Sequence, residues 1–129
     1  MTKKTTTGKL LTEVELELMN SIWKIKEGSV ADVIETLPSD RQLAYTSVST
    51  ILRILEQKGV LKSRKEGRGH TYIPLLSKSD YEAKTVQHVV NKVFDGTPTA
   101  LVKQLLSSVD LTDEDLESIK KMISDKERA

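Results

Sequence analysis

Residues 44–72, from Ala44 to Tyr72, read AYTSVSTILRILEQKGVLKSRKEGRGHTY. Stepped at 100° per residue, Val48, Ile51, Leu52 and Leu55 fall on one side of a helix. Thr46, Ser49, Thr50, Arg53 and Gln57 fall on the other. The first face suits a core. The second offers hydroxyls, an amide and a guanidinium but no carboxylate, and such groups hydrogen-bond phosphates and base edges. Gly59 closes the helix and Val60-Leu61 turns back to the core. Two strand-like runs, Lys62–Lys65 and His70–Ile73, then flank Gly67-Arg68-Gly69. Gly67 and Gly69 are expected to supply the turn conformations, with Arg68 at the tip and pairing ended by Pro74. Residues 44–70 carry six basic and two acidic side chains, net +4. A polar-faced helix followed by a basic hairpin is the layout of a winged helix-turn-helix, and it points to nucleic acid as the partner.

Upstream, Thr12-Glu13-Val14-Glu15 is a capping box, in which hydroxyl and carboxylate each satisfy a free backbone amide. The helix it starts is expected to run to about Glu27, burying Val14, Leu18, Met19, Ile22, Trp23 and Ile25. Gly28 is expected to end it. Ser29 caps the next, with Asp32 three residues on, and Val30, Val33, Ile34 and Leu37 face the core. Pro38 stops that helix, and Ser39–Gln42 turns the chain toward Leu43. Two short helices before the polar-faced one complete a helix-turn-helix, whose later helix enters the major groove. The opening MTKKTTTGK, residues 1–9, reads as a flexible arm and lacks the apolar region of a signal peptide.

Downstream, three amphipathic helices are expected. Val86, Val89, Val90, Val93 and Phe94 stripe the first, which Gly96 ends. Thr97-Pro98 starts the second, with Leu101, Val102, Leu105 and Leu106 on its apolar side. Thr112 caps the third, ahead of Asp113, Glu114 and Asp115, and Leu116, Ile119, Met122 and Ile123 form its stripe. Residues 77–129 are too few to bury these stripes among themselves, so a second copy of the chain is the expected cover. The expected dimer contacts are Val86, Val90, Val93, Phe94, Leu101, Leu105, Leu116, Ile119 and Ile123. The domain plan is thus a winged-helix DNA-binding domain over residues 10–76 and a helical dimerisation domain over 77–129. The fold class is mainly α with a small β-hairpin wing.

The 129 residues carry net +1, so the total says little about partners. Its distribution says more, since residues 1–76 carry net +3 and residues 77–129 net −2. With no cysteine, disulfides, thiolate metal sites and thiol nucleophiles are excluded, which fits a cytoplasmic protein. No apolar run approaches the roughly 20 residues of a membrane helix, so no insertion is expected. There is no phosphate-cradling glycine loop, dinucleotide fingerprint or nucleophile elbow. His70 in the wing and His88 on the long helix have no close-spaced ligand partner. The chain is therefore expected to be no enzyme and to need no cofactor or metal. Two alternatives are a winged-helix protein-interaction module and a ligand-gated repressor with a pocket among the C-terminal helices. The five aromatics, Trp23, Tyr45, Tyr72, Tyr81 and Phe94, leave little to line such a pocket.

The runs LTEVELELMNSIWK, AYTSVSTILRILEQKG, KEGRGHTY and FDGTPTALVKQLL resemble the BlaI/MecI/CopY family of bacterial penicillinase- and copper-responsive repressors, over residues 10–127. The resemblance implies a homodimeric winged-helix repressor on double-stranded operator DNA with an inverted repeat. It implies that Tyr45, Thr46, Ser47, Ser49, Thr50 and Arg53 face DNA, with Arg64, Lys65 and Arg68 from the wing. Tyr45 and Ser47 enter only by this resemblance. The copper-responsive members carry a C-terminal cysteine cluster that this chain lacks. The penicillinase repressors are cut by a membrane sensor protease at an Asn-Phe type bond. The matching stretch here, Leu101-Val102-Lys103-Gln104-Leu105-Leu106, holds no such pair.

Overall fold

Three capping boxes set the frame of the chain, seen in a computed structural model that describes residues 10–129. The arm expected over residues 1–9 lies outside the described residues. Thr12 starts α1 (Glu13–Ile25), Ser29 starts α2 (Val30–Thr36) and Thr112 starts α6 (Asp113–Arg128). In each, the cap hydroxyl accepts from the amide three residues on, and that residue's carboxylate accepts from the cap amide. Between them lie α3 (Tyr45–Gln57), the antiparallel strands β1 (Leu61–Glu66) and β2 (Gly69–Pro74), α4 (Lys78–Lys92) and α5 (Pro98–Ser108).

The core lies within the first of two compact units, which ends at His88. Leu18, Met19 and Ile22 of α1, Val33 of α2, Val48, Leu52 and Leu55 of α3, Val60 just before the hairpin, and Leu61 and Tyr72 within it are buried together. The apolar spacing of α3 is thus the face that packs, and its polar face is left outward. Trp23 flanks this core partly buried, its indole Nε1 donating to the Leu76 carbonyl at 2.8 Å. Its ring lies 5.8 Å from that of Tyr81, whose hydroxyl accepts from the Leu11 amide at 3.1 Å. These contacts place the first turns of α4 with the winged-helix unit. The first compact unit therefore runs on to His88 and takes in most of α4.

Three local expectations are corrected. First, α1 stops at Ile25 instead of near Glu27, because Lys26 takes a φ of 79°. Gly28 does not end the helix. It forms a bridge to β2, exchanging backbone hydrogen bonds of 3.1 and 2.8 Å with Tyr72. A Cβ on Gly28 would meet the Ile25 side chain at 2.5 Å, so this glycine serves a close approach. Second, Gly69 needs no special conformation. Only Gly67 has a positive φ, 59°, in the two-residue turn closed by the Glu66–Gly69 pair. A positive φ at the first central residue alone is the pattern of a type II′ hairpin turn. Third, α4 ends at Lys92, so Val93 and Phe94 lie just past it, before Asp95 and Gly96 turn the chain with φ values of 52° and 80°.

Two ion pairs fasten α1 to the helix-turn-helix. The Arg41 guanidinium, in the turn before α3, donates twice to Glu17, at 2.8 and 3.1 Å. The Lys58 ammonium, at the end of α3, donates to buried Glu15 at 2.6 Å. Burial alone would raise the Glu15 carboxyl. The hydrogen bonds from Lys58 and the Thr12 amide outweigh it and hold the group below its ordinary value. A lowered native value means the contribution is complete above the unfolded value of about 4.3 and is lost as pH falls through the native one. Glu15→Gln is therefore expected to cost about 1–2 kcal/mol at neutral pH. Urea titrations should show that gap from the parent chain closing with acidification below about pH 4. A gap independent of pH would mean that the Glu15 charge contributes nothing.

Candidate nucleic-acid interface

The exposed side of α3 splits into two stripes. Tyr45, Ser49 and Arg53, spaced by four, face the wing. Together with Ser29, Arg68, Gly69, His70 and Tyr72 they line a cleft of about 240 Å³ between α3 and the hairpin. Thr46, Ser47 and Thr50 lie along a shallow surface on the other side, with Ile51 at its base. The residues read from the sequence as one polar face are thus divided between a flat hydroxyl-bearing surface and a cationic cleft.

The wing divides in a similar way. Strand residues alternate between faces, and the register pairs Lys65 with His70, Ser63 with Tyr72 and Arg64 with Thr71. Lys65 and His70 therefore share the face of Ser63 and Tyr72. That face looks onto α3, since the Ser63 hydroxyl donates to Glu56 at 2.8 Å. Arg64 is on the opposite face. Its guanidinium donates to Glu27 at 2.9 Å and to Glu66 at 3.0 Å, and these two carboxylates raise it above its ordinary value. Glu66 also accepts from the Thr71 hydroxyl at 2.7 Å. Arg64 and Lys58, both counted in the net charge of the stretch, are thus already matched by acids. Arg53, Lys62, Lys65 and Arg68 have no ion-pair partner among the described residues.

Burial raises the Tyr72 phenol, Glu56 adds to this, and Arg53 works against it. The phenol is therefore a neutral donor at the floor of the cleft. At the start of α3, Ala44 caps without a side-chain hydrogen bond. The first amides of α3 thus gain no side-chain acceptor from their own cap. Hydroxyls on a surface helix, an uncapped helix start and unmatched cations beside them form a surface for a polyanion.

Residues 11–125 match the model of the penicillinase repressor family. The chain belongs to that family. The repressor is 28% identical over 116 residues to the methicillin resistance regulatory protein MecI of Mammaliicoccus sciuri, covering 90% of this chain and 94% of that one. It is likewise 28% identical over 115 residues to the penicillinase repressor of Bacillus licheniformis, covering 89% and 90% of the two chains. Among solved structures it resembles the DNA-binding domain of the repressor BlaI, with a TM-score of 0.52 and 32% identity. That match covers 60% of this chain and 94% of the other. The winged-helix fold and the family expected from the sequence both stand. Among the described residues, no helix of the repressor is long and apolar enough to cross a membrane.

His70, Tyr72 and Ser29 line the cleft without having been singled out from the sequence for it. The period-two alternation of β2 puts His70 and Tyr72 on one face. Only the strand register shows that this face is the one toward α3.

Proposed function

We propose that the chain is a cytoplasmic repressor that binds an inverted-repeat operator as a homodimer and blocks a promoter by occupying it. The observation that carries this is the acid-free outward face of α3 beside the unmatched cations of the wing. Thr46, Ser47 and Thr50 present hydroxyls to base edges in the major groove. Lys65 and Arg68 of the wing, with Arg53 and Tyr45 at the cleft, meet the backbone. Ser49 lies in the cleft with Arg53 and Tyr45. Arg64 joins them only by exchanging its carboxylate partners for a phosphate. Affinity then rests on phosphate neutralisation and falls steeply with salt.

The dimer reading is supported by what α4, α5 and α6 leave uncovered. None of the three has a buried residue. Val86, Val93, Leu105, Leu116 and Ile123 are exposed in the single chain, while Val90, Phe94, Leu101 and Ile119 are half-buried. Stripes of this kind are ordinary at obligate two-fold interfaces. Two copies of α3 at fixed spacing then match a palindromic site. Release from DNA by a membrane sensor protease belongs to the same reading at family level. Leu101–Leu106 holds no Asn-Phe pair to support a cut of that type.

Selection of bound sequences from random DNA by the full chain tests the function. The expected product is a palindrome with half-sites about one helical turn apart. Recovery of no enriched sequence would instead favour a winged-helix module that binds proteins. In the enriched site, Thr46→Ala or Thr50→Ala is expected to relax preference at one base pair by about 1–3 kcal/mol. An equal loss on every operator variant would remove that threonine from base reading.

A further inference from the structure

We propose that the cleft between α3 and the wing is a seat for one backbone phosphate of the operator, held by Arg53, Arg68 and the protonated imidazole of His70. The proposal rests on the DNA-binding reading above and adds a proton to it. Its consequence is that operator affinity depends on pH through one residue of the wing.

The cleft is built for an anion. Its lining residues include two arginines, one histidine and the hydroxyl-bearing Ser29, Tyr45, Ser49 and Tyr72, and no aspartate or glutamate. The groups come from three elements, α3, the hairpin and the start of α2, so the seat exists only in the folded unit. Arg53 has no carboxylate partner among the described residues, and neither has Arg68. Both arginines are permanently charged and match the oxygens of a phosphodiester. A neutral imidazole can donate from one ring nitrogen only, whereas the protonated ring donates from both and adds a charge.

The titratable and charged groups around His70 can be named from each element. On the hairpin these are Lys65, directly across the strands, Arg68 in the turn, and Tyr72 two residues along β2. On α3 they are Arg53 and Tyr45. At the start of α2 the Asp32 carboxylate accepts from the Ser29 amide and is not part of the lining, and neither is Glu56, which acts on the Tyr72 phenol. The lining therefore offers the ring no carboxylate, and an arriving phosphate supplies the missing negative charge. Binding the phosphate takes up a proton at His70, so affinity weakens as pH rises through the range in which imidazoles titrate.

The seat also assigns Arg53. In the cleft, beside the wing, it fixes the position of the protein on the backbone and does not read a base. Tyr45 and Ser49 share its stripe and act with it, leaving base reading to Thr46, Ser47 and Thr50.

The test uses the full chain and the operator recovered by selection, with affinity followed by fluorescence anisotropy at constant ionic strength between about pH 5.5 and about pH 8. The parent chain is expected to lose affinity with rising pH, by at most about tenfold per pH unit for each seat and so about a hundredfold for a dimer with two. His70→Gln is expected to give a flat profile. The other histidine, replaced in His88→Gln, leaves the parental slope unchanged. Arg53→Gln and Arg68→Gln weaken all base-pair variants of the operator alike. In a series of duplexes each carrying a symmetry-related pair of methylphosphonates, one in each half-site, one pair reproduces the loss, and on that duplex His70→Gln adds nothing. Three results overturn the seat while operator binding stands: a parental pH slope retained in His70→Gln, a change of base preference in Arg53→Gln, or an unchanged His70→Gln loss on every methylphosphonate duplex. If the parent chain selects no sequence at all, the DNA-binding reading fails and the seat fails with it.

Discussion

Leu105→Asp is expected to turn the proposed dimer into a monomer and to weaken operator binding by about 100-fold or more, because two linked half-site contacts become one. Leu105 is 40% exposed in the single chain, so an aspartate there meets water and costs the fold little. In a two-fold interface the same change buries two carboxylates without partners. Val90→Asp on α4 is expected to act in the same direction. Sedimentation velocity reads the assembly state and anisotropy reads the DNA affinity. A Leu105→Asp chain that sediments as a dimer would remove the α5 stripe from the interface. A monomer that keeps its full affinity would separate dimerisation from DNA binding.

The second large effect is expected from Leu52→Ala. Leu52 is 0% exposed, in the cluster with Leu18, Ile22, Val33 and Leu61 that holds α3 in place. Removing the buried side chain leaves a cavity, for which about 2–5 kcal/mol is the usual loss. At about 4–8 °C per kcal/mol for a unit of this size, thermal unfolding should move down by about 10 °C or more. Ile54→Ala is the comparison within the same helix. Ile54 is 37% exposed, and its loss should stay below about 1 kcal/mol. Equal losses at the two positions would contradict the assigned packing face of α3.

What the sequence showed most directly were features closed within one helical turn. The Thr12–Glu15, Ser29–Asp32 and Thr112–Asp115 boxes link residues three apart, and each is present in the structure. The packing face of α3 follows from the 3.6-residue period alone, and Val48, Leu52 and Leu55 are buried as that period requires. The exposed polar side was legible as the complement of that face. Of the misplaced features, Gly28 answers to a distant residue. Gly28 looked like a helix stop, but its partner is Tyr72, and the helix is ended earlier by Lys26.

The sequence by itself determined the elements, their caps, the core face of α3 and the family to which the chain belongs. These follow from short-range hydrogen bonds and helical periodicity, which are written in neighbouring residues. Only the tertiary structure decided which cations remain open to a partner. Lys58 is taken by Glu15, 43 residues away, and Arg64 by Glu27, 37 residues away. Only the strand register set Lys65 and His70 on the face toward α3 and Arg64 on the other, since a slip of one residue would exchange the two faces. The net charge of residues 44–70 was therefore a poor guide to the interface. Its cations become a cleft only where α3 and the hairpin meet, with Arg53, Arg68 and His70 around one space.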